Sequence, residues 1–136
     1  MGLSLERPLV PKRIDNFEGV DVTYIETTYP NEFVECDVYK FVDDRSRDLA
    51  IVRVQANAKT PIQRVLLGEE TIERFMSGNG RFVVSDMEYK FPNDSTDLIV
   101  VRKGDIMQWH AGDEGLTFYE ICTPPYADGR FEEIKS

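Results

Sequence analysis

The sequence predicts an all-β domain closed into a sandwich, jelly roll or barrel. Three observations carry that expectation. Apolar residues recur with a period of two, no segment sustains a 3.6-residue apolar stripe over three turns, and clusters of Gly, Pro, Asn and Asp divide the chain at short intervals.

The elements follow in order. Val20 to Ile25 opens a β-branched and aromatic run, and Phe33 to Phe41 alternates apolar with polar residues. Asp43 to Asp48 is a polar turn, after which Leu49 to Val54 resumes the alternation. Further strands are expected over Gln63–Leu67, Thr71–Met76, Arg81–Ser85, Met87–Phe91, Leu98–Arg102, Asp105–Trp109 and Leu116–Cys122. Turns are expected at Ser77–Gly80, Pro92–Ser95, Lys103–Asp105 and Gly112–Gly115. Thr71–Met76 has residues that suit a helix start, but Gly78 and Gly80 directly after it favour a strand entering a tight turn. Residues 1–15, with Pro8 and Pro11, read as an extended N-terminal arm, and 16–136 as a single barrel domain.

With 136 residues and a net charge of −9, the chain repels nucleic-acid phosphates and anionic lipid, so neither is expected as a partner. No apolar run reaches the length of a membrane span, and the opening residues lack the apolar core of a secretory signal. Cys36 and Cys122 stand far apart and in no CxxC pattern, which fits reduced thiols and a cytoplasmic location.

Thr60 to Gly80 (TPIQRVLLGEETIERFMSGNG) and Lys103 to Pro125 (KGDIMQWHAGDEGLTFYEICTPP) resemble the cupin superfamily. Its two motifs are G-x5-H-x-H-x3-4-E-x6-G and G-x5-P-x-G-x2-H-x3-N. The resemblance lies in the Gly turn closing the first motif, the Lys-Gly-Asp opening the second, and the apolar strand running into Pro124-Pro125. It implies a cupin-like double-stranded β-helix, an RmlC-like jelly-roll β-barrel, and a homodimer formed through the N-terminal arms or through sheets packed back to back.

The motif residues themselves depart from the family. Counted back from Gly78, the first motif has Thr71 at the Glu position; anchored on Gly80 it has Glu73 there, and with either anchor no histidine stands at a His position. In the second, Gly104 leads to His110 where the family has Pro, and Gly115 stands where the family has its His. The family's metal centre takes three imidazoles and a carboxylate, and this chain has one histidine. No metal and no other cofactor is therefore expected.

The resemblance also implies which side chains line the bowl: Thr71, Glu73, Phe75, Met107 and Trp109. A one-residue slip in register would reverse them all. Glu73 inside a bowl pairs with a cation such as Arg53 or Arg64, or its pKa rises; outside, it is an exposed strand residue. Trp109 is a stacking platform for a ligand or part of the core. Arg53, Gln63 and Arg64 are candidates at the rim for clamping a carboxylate or phosphate, or else solvated strand residues. His110 with Tyr119 is similar to the His–Tyr acid/base pairs of cupin-type sugar-nucleotide epimerases; as a lone histidine at a strand end it also suits a rim position. Candidate catalytic groups are thus Glu73, His110 and Tyr119, and candidate ligand contacts are Arg53, Gln63, Arg64, Thr71, Phe75, Met107 and Trp109.

Three functions fit these residues. The first is a metal-free binder of a small polar molecule, a sugar or a carboxylate, in the barrel. The second is a metal-independent sugar or sugar-nucleotide isomerase or epimerase. The third is a structural or regulatory dimer with a filled barrel. The scarcity of ionisable bowl residues weighs against the enzyme.

Overall fold

The two-residue alternation becomes strand pairing throughout the computed structural model, which describes residues 13–66, 70–94, 98–125 and 131–134. Among these are β1 (Asn16–Phe17), β2 (Val20–Asn31), β3 (Val34–Phe41), β4 (Asp44–Val54), β5 (Gln63–Val65), β6 (Glu70–Val84), β7 (Met87–Phe91), β8 (Ile99–Val101), β9 (Ile106–Thr123) and β10 (Phe131–Glu133). Every pairing is antiparallel. No helix occurs among the described residues, and none is long and apolar enough to cross a membrane.

The architecture is set by β6 and β9, which form one long bent ribbon. Glu70–Gly78 pairs with Leu116–Thr123, and beyond the bend Gly80–Val84 pairs with Met107–Ala111. The first stretch belongs to a sheet with β1, β2, β3, β4 and β8 (sheet I). The second belongs to a sheet with β5, β7 and β10 (sheet II). The inner faces of the two sheets enclose one core that includes Val34, Val52, Phe82, Phe91, Trp109 and Phe118. A second cluster, around Tyr39, Leu49, Ile51, Tyr119 and Ile121, coats the outer face of sheet I. Phe17 and Ile14 cover it in turn, so the segment entering the domain seals the back of the sheet.

Two expected turns are corrected by this ribbon. Ser77–Gly80 and Gly112–Gly115 do not reverse the chain: β6 and β9 run straight through them. Their glycines bend the ribbon instead. Gly78 sits at φ +90° and Gly80 at φ +154°, and a Cβ on either would lie 2.1 Å from a carbonyl oxygen of β9, that of Gly115 or of His110. The polar turn after β3 is also shorter than expected, because β4 already begins at Asp44. Residues 1–12 of the expected arm, and 126–130 of the C-terminal tail, lie outside the described residues.

Candidate functional site

The bent ribbon places Glu73 of β6 directly opposite Glu120 of β9. On the same face, Thr71 stands opposite Cys122 and Phe75 opposite Phe118. Across the barrel, sheet II contributes Met107 and Trp109. Thr71, Glu73, Phe75, Met107 and Trp109 therefore share the lumen, as the resemblance implies. The register, rather than sequence spacing, establishes it.

Trp109 is clamped at the centre. Its ring lies 4.3 Å from Phe82 at 20° and 4.1 Å from Phe118 at 10°. Two rings that close and that parallel occupy opposite faces of the indole, so no face remains for stacking a ligand. Trp109 is core, and its role as a platform is corrected accordingly. Phe91 extends the aromatic column, 5.3 Å from Trp109 and 4.8 Å from Phe75. This end of the lumen is filled.

The other end is polar. The Trp109 indole N–H donates to Glu73 Oε1 at 2.9 Å, and the Trp109 backbone N–H donates to Thr60 Oγ1 at 3.0 Å. Glu73 is fully buried, and no N–H or hydroxyl donor of the described residues reaches its Oε2. Burial first, then the charge of Glu120 and a hydrogen bond to it, raise the Glu73 pKa well above the usual carboxylate range. These effects favour the protonated, neutral form of Glu73 over the carboxylate. The Cys122 thiol approaches Glu120 Oε1 at 3.6 Å. Burial, reinforced by Glu120, pushes the Cys36 thiol up to about 12. It stays protonated at neutral pH.

Less bulky side chains line this end. Cys36, Val38 and Ala50 point inward from β3 and β4 and are only partly buried, as is Glu120. Sequence reasoning passed over Glu120. One signal for it was present: Tyr119 and Ile121 lie on one face of the strand and Phe118 and Cys122 on the other, so the strand is apolar on both faces and a carboxylate within it faces a packed layer.

Of the remaining candidates, only Gln63 shares the inner face. Arg53 is on the outer face of sheet I, held by Asp37 at 2.6 Å and Glu35 at 2.9 Å. Arg64 bonds Glu132 at 3.2 Å on an exposed strand pair. Gln63, at the start of β5, stands opposite Met107 of β9 and Glu133 of β10, and so shares the inner face with Met107 and Val65. Tyr119 packs on the outer face of sheet I, edge-on to Phe17 at 4.9 Å. His110 faces away from the lumen on sheet II, between Arg81 and Lys59, and burial together with those charges lowers its pKa. Glu73, His110 and Tyr119 thus occupy three separate surfaces. The structure does not assemble them, and neither Arg53 nor Arg64 reaches Glu73.

A shallow cleft of about 330 Å³ lies outside the barrel beside Asn31, Lys59, Gln108 and Glu133. Asn31 and Gln108 already donate there, to the carbonyls of Lys59 and Thr60. It lies apart from the lumen carboxyls.

The residues present do not fit the metal centre of the cupins. Near Glu73 stand the Glu120 carboxyl and the Cys36 and Cys122 thiols, with Asp48 farther along the same face; one Glu73 oxygen is committed to an indole N–H, and the histidine faces outward. Among the described residues, no three His, Cys, Asp or Glu side chains converge as ligands.

Comparison with known proteins places the architecture. No protein-family profile and no curated protein matches the sequence. Solved structures match its fold. A cupin-2 domain, Rru_A2000 from Rhodospirillum rubrum, aligns at TM-score 0.66 and 17% identity over 96% of this chain and 84% of its own. A variant of Streptomyces PAC13 with uridine aligns at 0.64 and 16% identity, over 83% of this chain and 90% of that one. KdgF from Halomonas sp. aligns at 0.60 and 8% identity, over 74% and 88%. The chain has the cupin jelly-roll fold.

Proposed function

We propose that this chain binds a small, polar, hydroxyl-rich molecule of the sugar type in the open end of its barrel, without a metal. The observation that carries the reading is the Glu73–Glu120 pair on the inner face, reachable past the small side chains of Cys36 and Ala50. A carboxylate beside a carboxylic acid offers acceptors and takes hydroxyl donors in a largely apolar enclosure, the usual make-up of a small-molecule site. It disfavours the carboxylate ligand that Arg53 and Arg64 would have clamped, because both point away. The likeness to a PAC13 structure with uridine supports the same use of the fold.

The test is a thermal-shift and calorimetric screen of monosaccharides, sugar nucleotides and small carboxylates on the intact protein and on Glu120→Gln. A ligand at 100 times its Kd adds about 2.7 kcal/mol to stability. We expect a hydroxyl-rich compound to shift the wild type and to shift Glu120→Gln much less. No shift with any compound would favour the structural dimer. The acid–carboxylate pair also favours the isomerase reading, since proton transfer needs one partner in each state. Exchange of solvent deuterium into a bound sugar, abolished in Glu120→Gln, would promote the binder to an enzyme.

A further inference from the structure

The lumen has a definite charge character. Glu120 stands opposite Glu73 of β6 and Ala50 of β4, with Asp48 farther along β4; its charge acts on the Cys36 thiol of β3, and the Cys122 thiol of its own strand donates to it. On the described strands no arginine points inward, and the one inward-register lysine, Lys40, is exposed at the rim opposite Asp48. Arg53, on the strand that pairs with β9, is turned to the other face and held by Glu35 and Asp37. Behind Glu120, Glu73 is fully buried with Oε2 lacking any N–H or hydroxyl donor.

We propose that the pocket is cation-selective: it takes a small molecule bearing a cationic nitrogen, whose charge pairs with Glu120 while Glu73, anchored by Trp109, holds that carboxylate in place from behind. This narrows the sugar-type reading above to molecules that also carry a cationic nitrogen, and it rests on the lumen being an open site. A neutral polyol satisfies the hydrogen bonds but leaves the carboxylate charge uncompensated in an apolar enclosure, whereas an ammonium group satisfies both. An anion meets repulsion from Glu120 with no basic partner on the strands to offset it.

Cys36 allows the charge to be read without knowing the ligand. It shares the inner face with Glu120 and is partly exposed. The experiment compares modification of Cys36 in the folded full-length protein by a trimethylammonium-ethyl and a sulfonatoethyl methanethiosulfonate. Each rate is divided by that reagent's rate on a small thiol in solution. The high thiol pKa slows both reagents alike and cancels in the ratio. Cys36→Ala confirms which cysteine reacts.

We expect the normalised rate of the cationic reagent to exceed that of the anionic one by roughly tenfold or more at low salt. Glu120→Gln should bring the ratio close to one, while Arg53→Gln should leave cationic preference in place. Equal normalised rates in the wild type, a faster anionic reagent, or a ratio unchanged by Glu120→Gln would overturn charge selectivity while leaving the lumen an open site. Failure of both reagents to reach Cys36 in the folded protein would overturn the open-lumen reading, and this proposal with it.

Discussion

Trp109 donates its indole N–H to Glu73 Oε1 across the barrel, at 2.9 Å, and so ties sheet II to the carboxyl that stands behind Glu120. The bond costs little to keep and much to break. Phenylalanine at 109 preserves the aromatic column but leaves a fully buried oxygen unpartnered. Trp109→Phe should lower unfolding free energy by about 1–3 kcal/mol, the penalty for an orphaned buried acceptor. Urea denaturation at pH 7 measures it; a loss below about 0.5 kcal/mol would show the bond to be incidental.

Glutamine at 73 imitates the protonated acid. Its carbonyl accepts from Trp109 and its amide N–H₂ donates toward Glu120, so the variant keeps both contacts without a titrating proton. Glu73→Gln should lie within about 1 kcal/mol of wild type at pH 6. Glu73→Ala should cost about 2–4 kcal/mol through lost packing and the orphaned indole N–H. A large penalty for the glutamine variant would mean that Glu73 is ionised in the native state.

The same group sets a pH dependence whose sign is fixed. Glu73 has a folded pKa raised above its unfolded value of about 4.3, chiefly by burial and then by Glu120. The unfolded chain releases this proton first. Its contribution to stability is therefore complete below about pH 4.3 and is lost as pH climbs toward and through the folded pKa. Melting temperature of wild type relative to Glu73→Gln should fall as pH rises from about 5 and level off once pH has passed the folded pKa. A flat difference across that range would refute the neutral-acid assignment.

Gly78 and Gly104 share a left-handed backbone, at φ +90° and φ +94°, but differ in their surroundings. A Cβ at Gly78 meets the Gly115 carbonyl oxygen at 2.1 Å, whereas one at Gly104 meets nothing within 4 Å. Gly104→Ala should cost about 1–2 kcal/mol, from conformation alone. Gly78→Ala must also separate β6 from β9 at the bend, and should cost at least about 3 kcal/mol or prevent folding. Chemical denaturation of the pair decides whether the bend needs close backbone approach or only a permissive dihedral.

The alternation legible in the sequence was enough for strand identity and for placing Thr71, Glu73 and Phe75 on one face, because a period of two groups alternate residues; that this face is the inner one was implied by the resemblance alone. What the chain could not display was that β6 and β9 each serve two sheets. Glycine-rich stretches mark a reversal and a bend with the same residues, so Ser77–Gly80 and Gly112–Gly115 read as turns. The same blindness made His110 and Tyr119 look like partners. They sit on one strand, but the bend between them carries His110 to the outside of sheet II and Tyr119 to the outside of sheet I. Glu120 was missed because a single glutamate in an alternating strand resembles a solvated one until its cross-strand partner is known.

Asp37 is the second buried carboxylate whose neighbours matter, and here the compensation is a cation. It is fully buried, accepts from Arg53 at 2.6 Å and from the Thr27 hydroxyl at 2.8 Å, and Thr27 in turn contacts Tyr24 Oη at 2.6 Å. Arg53 is about one-third exposed and keeps a second partner in Glu35. The two halves of the pair are therefore unequal. Asp37→Asn leaves an arginine that still has Glu35 and water, and should cost about 1–2 kcal/mol. Arg53→Met leaves a carboxylate in the sheet with only a hydroxyl to stabilise it, and should cost about 3 kcal/mol, toward the range for a broken buried pair. Combining the two changes should recover part of that loss, since the stranded charge is removed. A double variant less stable than the sum of the single effects would show that Arg53 contributes by packing over sheet I rather than by neutralising Asp37.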